Sequence, residues 1–404
     1  MKYINKNLTV EKIKLENLAK KFGTPIYCYS YKKLKENVQN FKKNFRSFSP
    51  LVCFAVKSNA NVKLIKEIGK LGLGADVVSI GELMMALKAG IKPKKIVFSG
   101  VGKTPAEISY AIDKKILLIN AESKSEVVNI EKIAKSKKRI VDIGIRLNPN
   151  TDAKTLSQIS TGKKENKFGV DEKTYFKLIT YSKNSKNINL KCLSVHIGSQ
   201  ILDHKPYKKM LNVVDRIIKK SDYKFDFIDL GGGMGISYND NSKKLDYKKY
   251  NMAIKDLLKE HNSKIIFEPG RSIVGNIGLL ISKVIYIKES KKKNFIILDA
   301  AMNDLMRPAL YGASHKTLPL IKKNKNSNKI YDFVGPICES TDKFTSLKKF
   351  QKLEEEDLIV MCDVGAYGMS LSSNYNVRPK PIEILIKGSK INIIKKRQKL
   401  KDLI

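Results

Sequence analysis

The sequence predicts an α/β protein: a (β/α)8 barrel of the TIM type joined to a C-terminal β-barrel or β-sandwich domain. Between Leu51 and Arg271 one unit recurs eight times, a short apolar strand with a polar or glycine-bearing end and then an amphipathic helix. The strands are continuous Val, Ile, Leu and Phe runs, the pattern of strands buried on both faces. Beyond Arg271 helical periodicity fades, and strands with turn signals follow one another.

Along the chain, residues 8–23 carry apolar positions at helical spacing and end at Gly23, predicting an amphipathic helix. PIYCYS (25–30) reads as a strand, and a helix follows over about 31–44. The barrel strands are LVCFAVK (51–57), GADVVS (74–79), KIVFSG (95–100), LLINAES (117–123), DIGIRLN (142–148), LKCLSVHIGSQ (190–200), FDFIDLGGG (225–233) and KIIFEPGR (264–271). Between them lie helical patterns such as NVKLIKEIGKLG (61–72) and YKKMLNVVDRIIKKS (207–221). After the barrel, IGLLISKVIYIKE (277–289), NFIILDA (294–300), IYDFVGPIC (330–338), DLIVMCDVGAY (357–367) and PIEILIKGSKINII (381–394) read as strands, with KKNKNSNK (322–329) as an exposed loop. The expected division is a barrel over 31–275 and a β-rich domain over 1–30 and 276–404. The strand at 25–30 is placed in the β-rich domain because it lies outside the eight-unit count.

The chain has 404 residues, 42% hydrophobic, enough for a large core and two domains. Its formal charge of +39 invites a nucleic-acid reading. Against it, only eight of the 78 basic residues are arginines, the lysines are spread over every helix, and no nucleic-acid module signature occurs. A solvated lysine surface is the expectation. Five cysteines, an odd number without CxxC spacing, predict neither a disulfide framework nor a metal site. Cys28, Cys53, Cys192 and Cys362 sit in apolar runs and read as buried thiols; Cys338 does not. The N-terminus has no apolar signal region and no stretch approaches the ~18 apolar residues of a membrane span, so a cytoplasmic protein is expected.

In a parallel barrel the active site lies at the strand C-terminal ends. Those ends carry Lys57, Asp76, Arg146, His196, Ser199, Gly231, Gly232, Gly233, Glu268 and Arg271. The loops after strands seven and eight commonly bind phosphate; here they are DLGGGMG (229–235) and EPGR (268–271). Consecutive glycines let backbone N–H groups approach an anion, and Arg271 supplies charge. Lys57, beside low-dielectric walls, is a candidate nucleophilic amine. Any one lysine of so many is ordinarily a surface residue; its position facing a phosphate site reverses that. An imine-forming lysine and a phosphate pocket in one barrel mouth point to pyridoxal 5'-phosphate. Glu268 suits the pyridine nitrogen, keeping the ring a strong electron sink. His196 suits a ring face, and Ser199 a phosphate oxygen. Asp76 and Arg146 read as supporting groups.

FAVKSN, ADVVSIGE, GIRLNP, HIGSQ, DLGGGMGI, EPGR, RPALYGA, GPICESTD and DVGAYGMS occur in that order. The chain thereby resembles the barrel-type pyridoxal-phosphate-dependent decarboxylases, and among them the diaminopimelate decarboxylases, from about Lys20 to Pro381. The resemblance implies that Lys57 carries the cofactor, with His196 stacked on its ring and Glu268 at its nitrogen. Ser199, Gly231 to Gly233, Gly270 and Arg271 would contact its phosphate. It implies homodimers whose sites combine both subunits, with the segment around Cys338 and Glu339 supplied by the partner chain. Cys338 would then be the acid that protonates the substrate carbon after carbon dioxide leaves, and Tyr367 would touch cofactor and substrate. For meso-diaminopimelate the distal carboxylate calls for a guanidinium. Arg307 and Arg271 are the candidates, with Glu339 for the distal ammonium and Tyr311 for a hydroxyl contact. Relatives acting on ornithine read CDGLD where this chain reads CESTD, which favours the diacid. Decarboxylation of a polyamine-type amino acid (ornithine, arginine, carboxynorspermidine) and racemisation on the same fold stay as alternatives. Glu268 stands against the racemase, where arginine usually faces the pyridine nitrogen.

Overall fold

The computed structural model describes residues 1–238 and 244–404. Two compact units divide the chain. One comprises Val38–Ile236 and residues 244–272; the other comprises Met1–Asn37, Ser237 and Tyr238, and Ile273–Ile404.

The first unit is a closed barrel of eight parallel strands: Leu51–Ala55, Gly74–Val77, Ile96–Phe98, Leu118–Ala121, Val141–Arg146, Ile188–Ser194, Phe227–Asp229 and Lys264–Phe267. Ile266 opposite Leu51 and Phe267 opposite Val52 close it. The interior is plugged by Cys53, Val97, Leu118, Cys192 and Ile266, and burial pushes both thiols well up, as inert core groups. Except for Lys205–Ser221, which has no side-chain cap, the crossover helices start at polar caps. Asn61 accepts from Lys63 N and Leu64 N, Ser79 from Glu82 N, Ser123 from Glu126 N, and Thr104 forms a full capping box with Glu107. Each cap fixes where a strand-end loop stops, and so where the mouth of the barrel lies.

The second unit is built on a nine-stranded mixed sheet. Its longest strand, Gly278–Lys288, pairs antiparallel with Asn294–Leu298, Leu358–Cys362 and Ile26–Ser30. Ile26–Ser30 in turn pairs parallel with Ile382–Lys387. Alternate residues Ile26 and Cys28, Leu279 and Ile281, Val360 and Cys362, and Ile382, Ile384 and Ile386 enter one core with Leu8, Val10, Leu15 and Leu18.

Two local expectations are corrected. Only Leu15–Phe22 of the segment 8–23 is helical; Asn7–Val10 and Ile13–Lys14 are strands. Asn5 and Lys6 take positive φ, 47° and 66°, and turn the chain from Lys2–Ile4 into Asn7–Val10. Leu8 and Val10 alternate, so this stretch satisfied both periods. Residues 381–394 form a hairpin, Ile382–Lys387 and Lys390–Lys395, broken at Gly388 with φ 64°. Thr317–Pro319 and Lys343–Lys348 are strands that no pattern above marked, and the sixth barrel strand ends at Ser194, before the HIGSQ segment. Among the described residues no helix is long and apolar enough to cross a membrane.

Candidate active site

At the strand ends the barrel gathers an amine and three carboxylates. Lys57 sits in the single turn Val56–Ser58 after the first strand, with Nζ 3.3 Å from Asp76 Oδ2. Asp76 is fully buried on the second strand, and its Oδ1 has no hydrogen-bond partner among the described residues. Glu268, just past the eighth strand, accepts from Ser99 Oγ at 3.3 Å. Asn120 Nδ2 donates to Ser99 Oγ at 3.3 Å and to Asp229 Oδ2 at 3.0 Å. Asp229 Oδ1 accepts the Gly231 N–H at 2.9 Å. Burial, and then the charges of Asp229 and Asp76, push the Glu268 carboxyl well up. Burial holds Asp229 up, at about 6.

His196 lies across the glycine turn. Its Nδ1 accepts the Gly232 N–H at 3.1 Å. A backbone N–H only donates, so the neutral ring carries its proton on Nε2. Desolvation, then the positive charges of Arg146 and Lys57, hold its pKa well below the ordinary imidazole value. Arg146 also fixes the backbone here: Nη2 donates to His196 O at 3.3 Å while Nη1 pairs with Glu122 at 3.0 Å.

Next to the glycine loops, Arg271 Nη2 donates to Ser199 Oγ at 3.2 Å. A Cβ on Gly232 would lie 2.1 Å from Glu268 O, on Gly233 2.4 Å from Gly198 O, on Gly231 2.5 Å from His196 Nδ1, and on Gly270 2.9 Å from Ser58. The glycines are therefore required by packing of the seventh- and eighth-strand loops against their neighbours; contrary to the expectation of free donors, the buried Gly231 and Gly232 spend their N–H groups on Asp229 and His196.

In the β-rich unit Arg307 is buried and opens the short helix Arg307–Tyr311, which ends at the half-buried Tyr311. Its Nη1 donates to His315 Nε2 at 2.9 Å, and its guanidinium lies 4.5 Å from the centroid of the Tyr238 ring. Cys338 is exposed, and its N–H donates to Asn376 Oδ1 at 3.2 Å. The loop is pinned by Asp342, which accepts from Met302 N at 2.7 Å and Ile337 N at 2.8 Å. Glu339 accepts from Tyr375 and, at 3.0 Å, from Thr341; these bonds hold its carboxyl below the usual range. Tyr367 is half-buried at φ 57°. Lys57, Asp76, His196, Ser199, Gly231 to Gly233, Glu268, Gly270 and Arg271 thus belong to the barrel. Arg307, Tyr311, Cys338, Glu339 and Tyr367 belong to the β-rich unit.

Asp229, Ser99, Asn120 and His315 were missed in the sequence. Asp229 had a signal: a charge ending the apolar run FDFIDL, where an unpartnered carboxylate would be costly. The other three had none.

An amine, a buried carboxyl pushed up by its neighbours, and an arginine–serine pair suit a phosphorylated pyridine aldehyde. The buried Asp76 oxygen without a hydrogen-bond partner leaves an acceptor that such a ligand could satisfy. The residues fit pyridoxal phosphate, and the class of protein is a barrel-type pyridoxal-phosphate enzyme. The family pattern for the pyridoxal-dependent decarboxylase, pyridoxal binding domain, matches residues 31–275. Diaminopimelate decarboxylase of Aquifex aeolicus is 40% identical over 402 residues, covering 98% of this chain and 95% of its own. That of Helicobacter pylori is 43% identical over 391 residues, covering 96% of each. The crystal structure of diaminopimelate decarboxylase from Helicobacter pylori complexed with L-lysine matches with a TM-score of 0.91 at 43% identity, over 96% of this chain and 98% of that one. The chain belongs to the diaminopimelate decarboxylase family of pyridoxal-phosphate-dependent carboxy-lyases.

Proposed function

We propose that the chain removes carbon dioxide from meso-2,6-diaminopimelate to give L-lysine, the last step of lysine biosynthesis, in the cytoplasm. The observation that carries the substrate is Arg307, a buried guanidinium bonded to a neutral imidazole. A carboxylate at the far end of the substrate is the ligand such a cation recognises. Arg271 shares the carboxylate, Glu339 takes the distal ammonium, and Tyr311 and Tyr367 add hydroxyl contacts. The working unit is a homodimer, in which Cys338 and Glu339 of the partner subunit complete each barrel mouth.

The cofactor supplies an electron-poor ring that takes up the electron pair left when carbon dioxide departs. Lys57 Nζ anchors its aldehyde, and Asp76 keeps that amine oriented. Glu268, its carboxyl pushed up by burial and then by Asp229 and Asp76, would lie at the pyridine nitrogen and would keep it protonated. His196, neutral and locked by Gly232, covers a ring face without adding charge. Ser199, Arg271 and Gly270 hold the phosphate together with the Gly233 end of the turn, since the Gly231 and Gly232 N–H groups are taken by Asp229 and His196. Cys338 Sγ delivers the proton to the carbon that has lost carbon dioxide.

Borohydride reduction of the holoprotein followed by peptide mapping should place the label on Lys57; a label on another lysine overturns the assignment. Arg307→Ala should lose turnover of meso-diaminopimelate, and normal handling of the diacid by that variant would return the choice to ornithine- or arginine-type substrates. Carbon dioxide release separates either reading from racemisation.

A further inference from the structure

Arg307 owes its orientation to a residue eight positions on. His315 is as buried as Arg307, each 5% exposed, and touches it through Nε2 at 2.9 Å. On the other side of the ring, Nδ1 lies 2.9 Å from Cys362 O. A carbonyl only accepts, so Nδ1 carries the ring proton and Nε2 presents a lone pair to the guanidinium. A second proton on the ring would set N–H against N–H and break the contact. His315 therefore holds Arg307 as a neutral group. A carboxylate would hold the guanidinium at least as firmly but would cancel the charge that a substrate carboxylate needs.

The mounting is rigid. Cys362 ends the strand Leu358–Cys362, which pairs with Thr317–Pro319 just beyond His315, and Cys362 N donates to Lys316 O at 2.8 Å. Between the two residues the helix closes at Gly312, φ 61°, whose N–H bonds Pro308 O at 2.9 Å. Tyr238 completes the seat, with its ring under the guanidinium and at 83° to the His315 ring.

We propose that His315 is a positioning residue for specificity: through Nε2 it fixes Arg307 in the orientation that receives the carboxylate at the non-reacting end of the substrate. This rests on the reading of Arg307 given above. L-Lysine and cadaverine differ by one carboxylate, the one at that end, and so isolate the effect. In the holoenzyme, His315→Leu, which fills the space without an acceptor, should weaken inhibition by L-lysine roughly tenfold, the scale of one hydrogen bond to a charged group. Inhibition by cadaverine should move less than about twofold, and KM for meso-diaminopimelate should rise with little change in kcat. His315→Gln, whose Oε1 can accept where Nε2 did, should recover L-lysine binding. If His315→Leu does not fold, His315→Phe keeps the ring volume and replaces it. Equal weakening of both inhibitors, or of neither, overturns the role of His315. Arg307→Ala distinguishes the two levels. If it leaves L-lysine inhibition intact, the reading of Arg307 itself falls; if it abolishes that inhibition while His315→Leu does not weaken it, only this inference falls.

Discussion

His196 Nδ1 accepts the backbone N–H of Gly232 at 3.1 Å, so the imidazole and the glycine turn are one rigid piece. The ring is held as the neutral Nε2–H form, and its pKa lies well below the ordinary value because of desolvation and then the charges of Arg146 and Lys57. The folded protein therefore does not take up this proton near pH 6, whereas the unfolded chain does, at about pH 6.5. Stability is lost as pH falls below that value, by at most about 1.4 kcal/mol per pH unit. In cofactor-stripped protein, His196→Gln should lose less stability between pH 7 and pH 5 than the parent, as read by urea unfolding midpoints. Asp229, held up at about 6, works in the opposite direction in both proteins. The difference between the two curves carries the test, and parallel curves would refute the neutral, depressed histidine.

Gly232 tests the turn itself. A Cβ there would meet Glu268 O at 2.1 Å, a backbone atom that no rotamer change can move. Gly232→Ala should displace the loop bearing Glu268 and lose the cofactor on dialysis, seen as loss of visible absorbance. Gly102→Ala, where nothing lies within 4 Å, should retain both cofactor and activity. Equal cofactor retention by the two variants would show that the seventh-strand loop is not held by this contact.

Much of this arrangement was legible because a parallel barrel announces itself through runs buried on both faces, and puts its chemistry where those runs end. Lys57, His196, Glu268 and Arg271 could be found that way, each being the polar residue that terminates or follows an apolar strand. What eluded the sequence depends on tertiary contact. Residues 8–14 satisfy both the helical and the alternating period, and only the left-handed turn at Asn5 and Lys6 decides between them. Ser99 and Asn120 are ordinary strand-end polar residues until the barrel closes and links Glu268 to Asp229 through them. The glycines were legible as a turn, but their cause is the backbone of the neighbouring loops, which no local pattern records.

Asp229 ties two parts of the barrel mouth together. One of its oxygens accepts the Gly231 N–H of the glycine turn, the other accepts from Asn120. In Asp229→Asn the new amide can satisfy only one of these donors, whichever way it is turned, and the other then faces an N–H. The cost expected is about 1–3 kcal/mol of unfolding free energy, the scale of a buried donor without a partner. The loss of negative charge should also lower the proton affinity of Glu268, since Asp229 is the leading charge that raises it. Denaturant unfolding of the apoprotein checks the first expectation. The pH dependence of cofactor absorbance checks the second, and an unchanged profile would mean that the two carboxyls titrate independently.

Cys338 offers the sharpest separation of chemistry from folding. Its loop is pinned by Asp342 to Met302 and Ile337 and by Asn376 to the Cys338 N–H, and the exposed thiol carries none of that load. Cys338→Ala should therefore fold with an unfolding free energy within about 0.5 kcal/mol of the parent. If Sγ delivers the proton, turnover should fall by about 10²–10⁴-fold, the range for loss of a general acid. Stereochemistry gives the second readout. In deuterium oxide the parent should place deuterium at a single position on the ε-carbon of the lysine formed, because one fixed acid serves one face. The variant, protonated by water, should place it at both. Full turnover with retained stereochemistry in Cys338→Ala would assign the proton to another group, and Tyr367 would be the next residue to change.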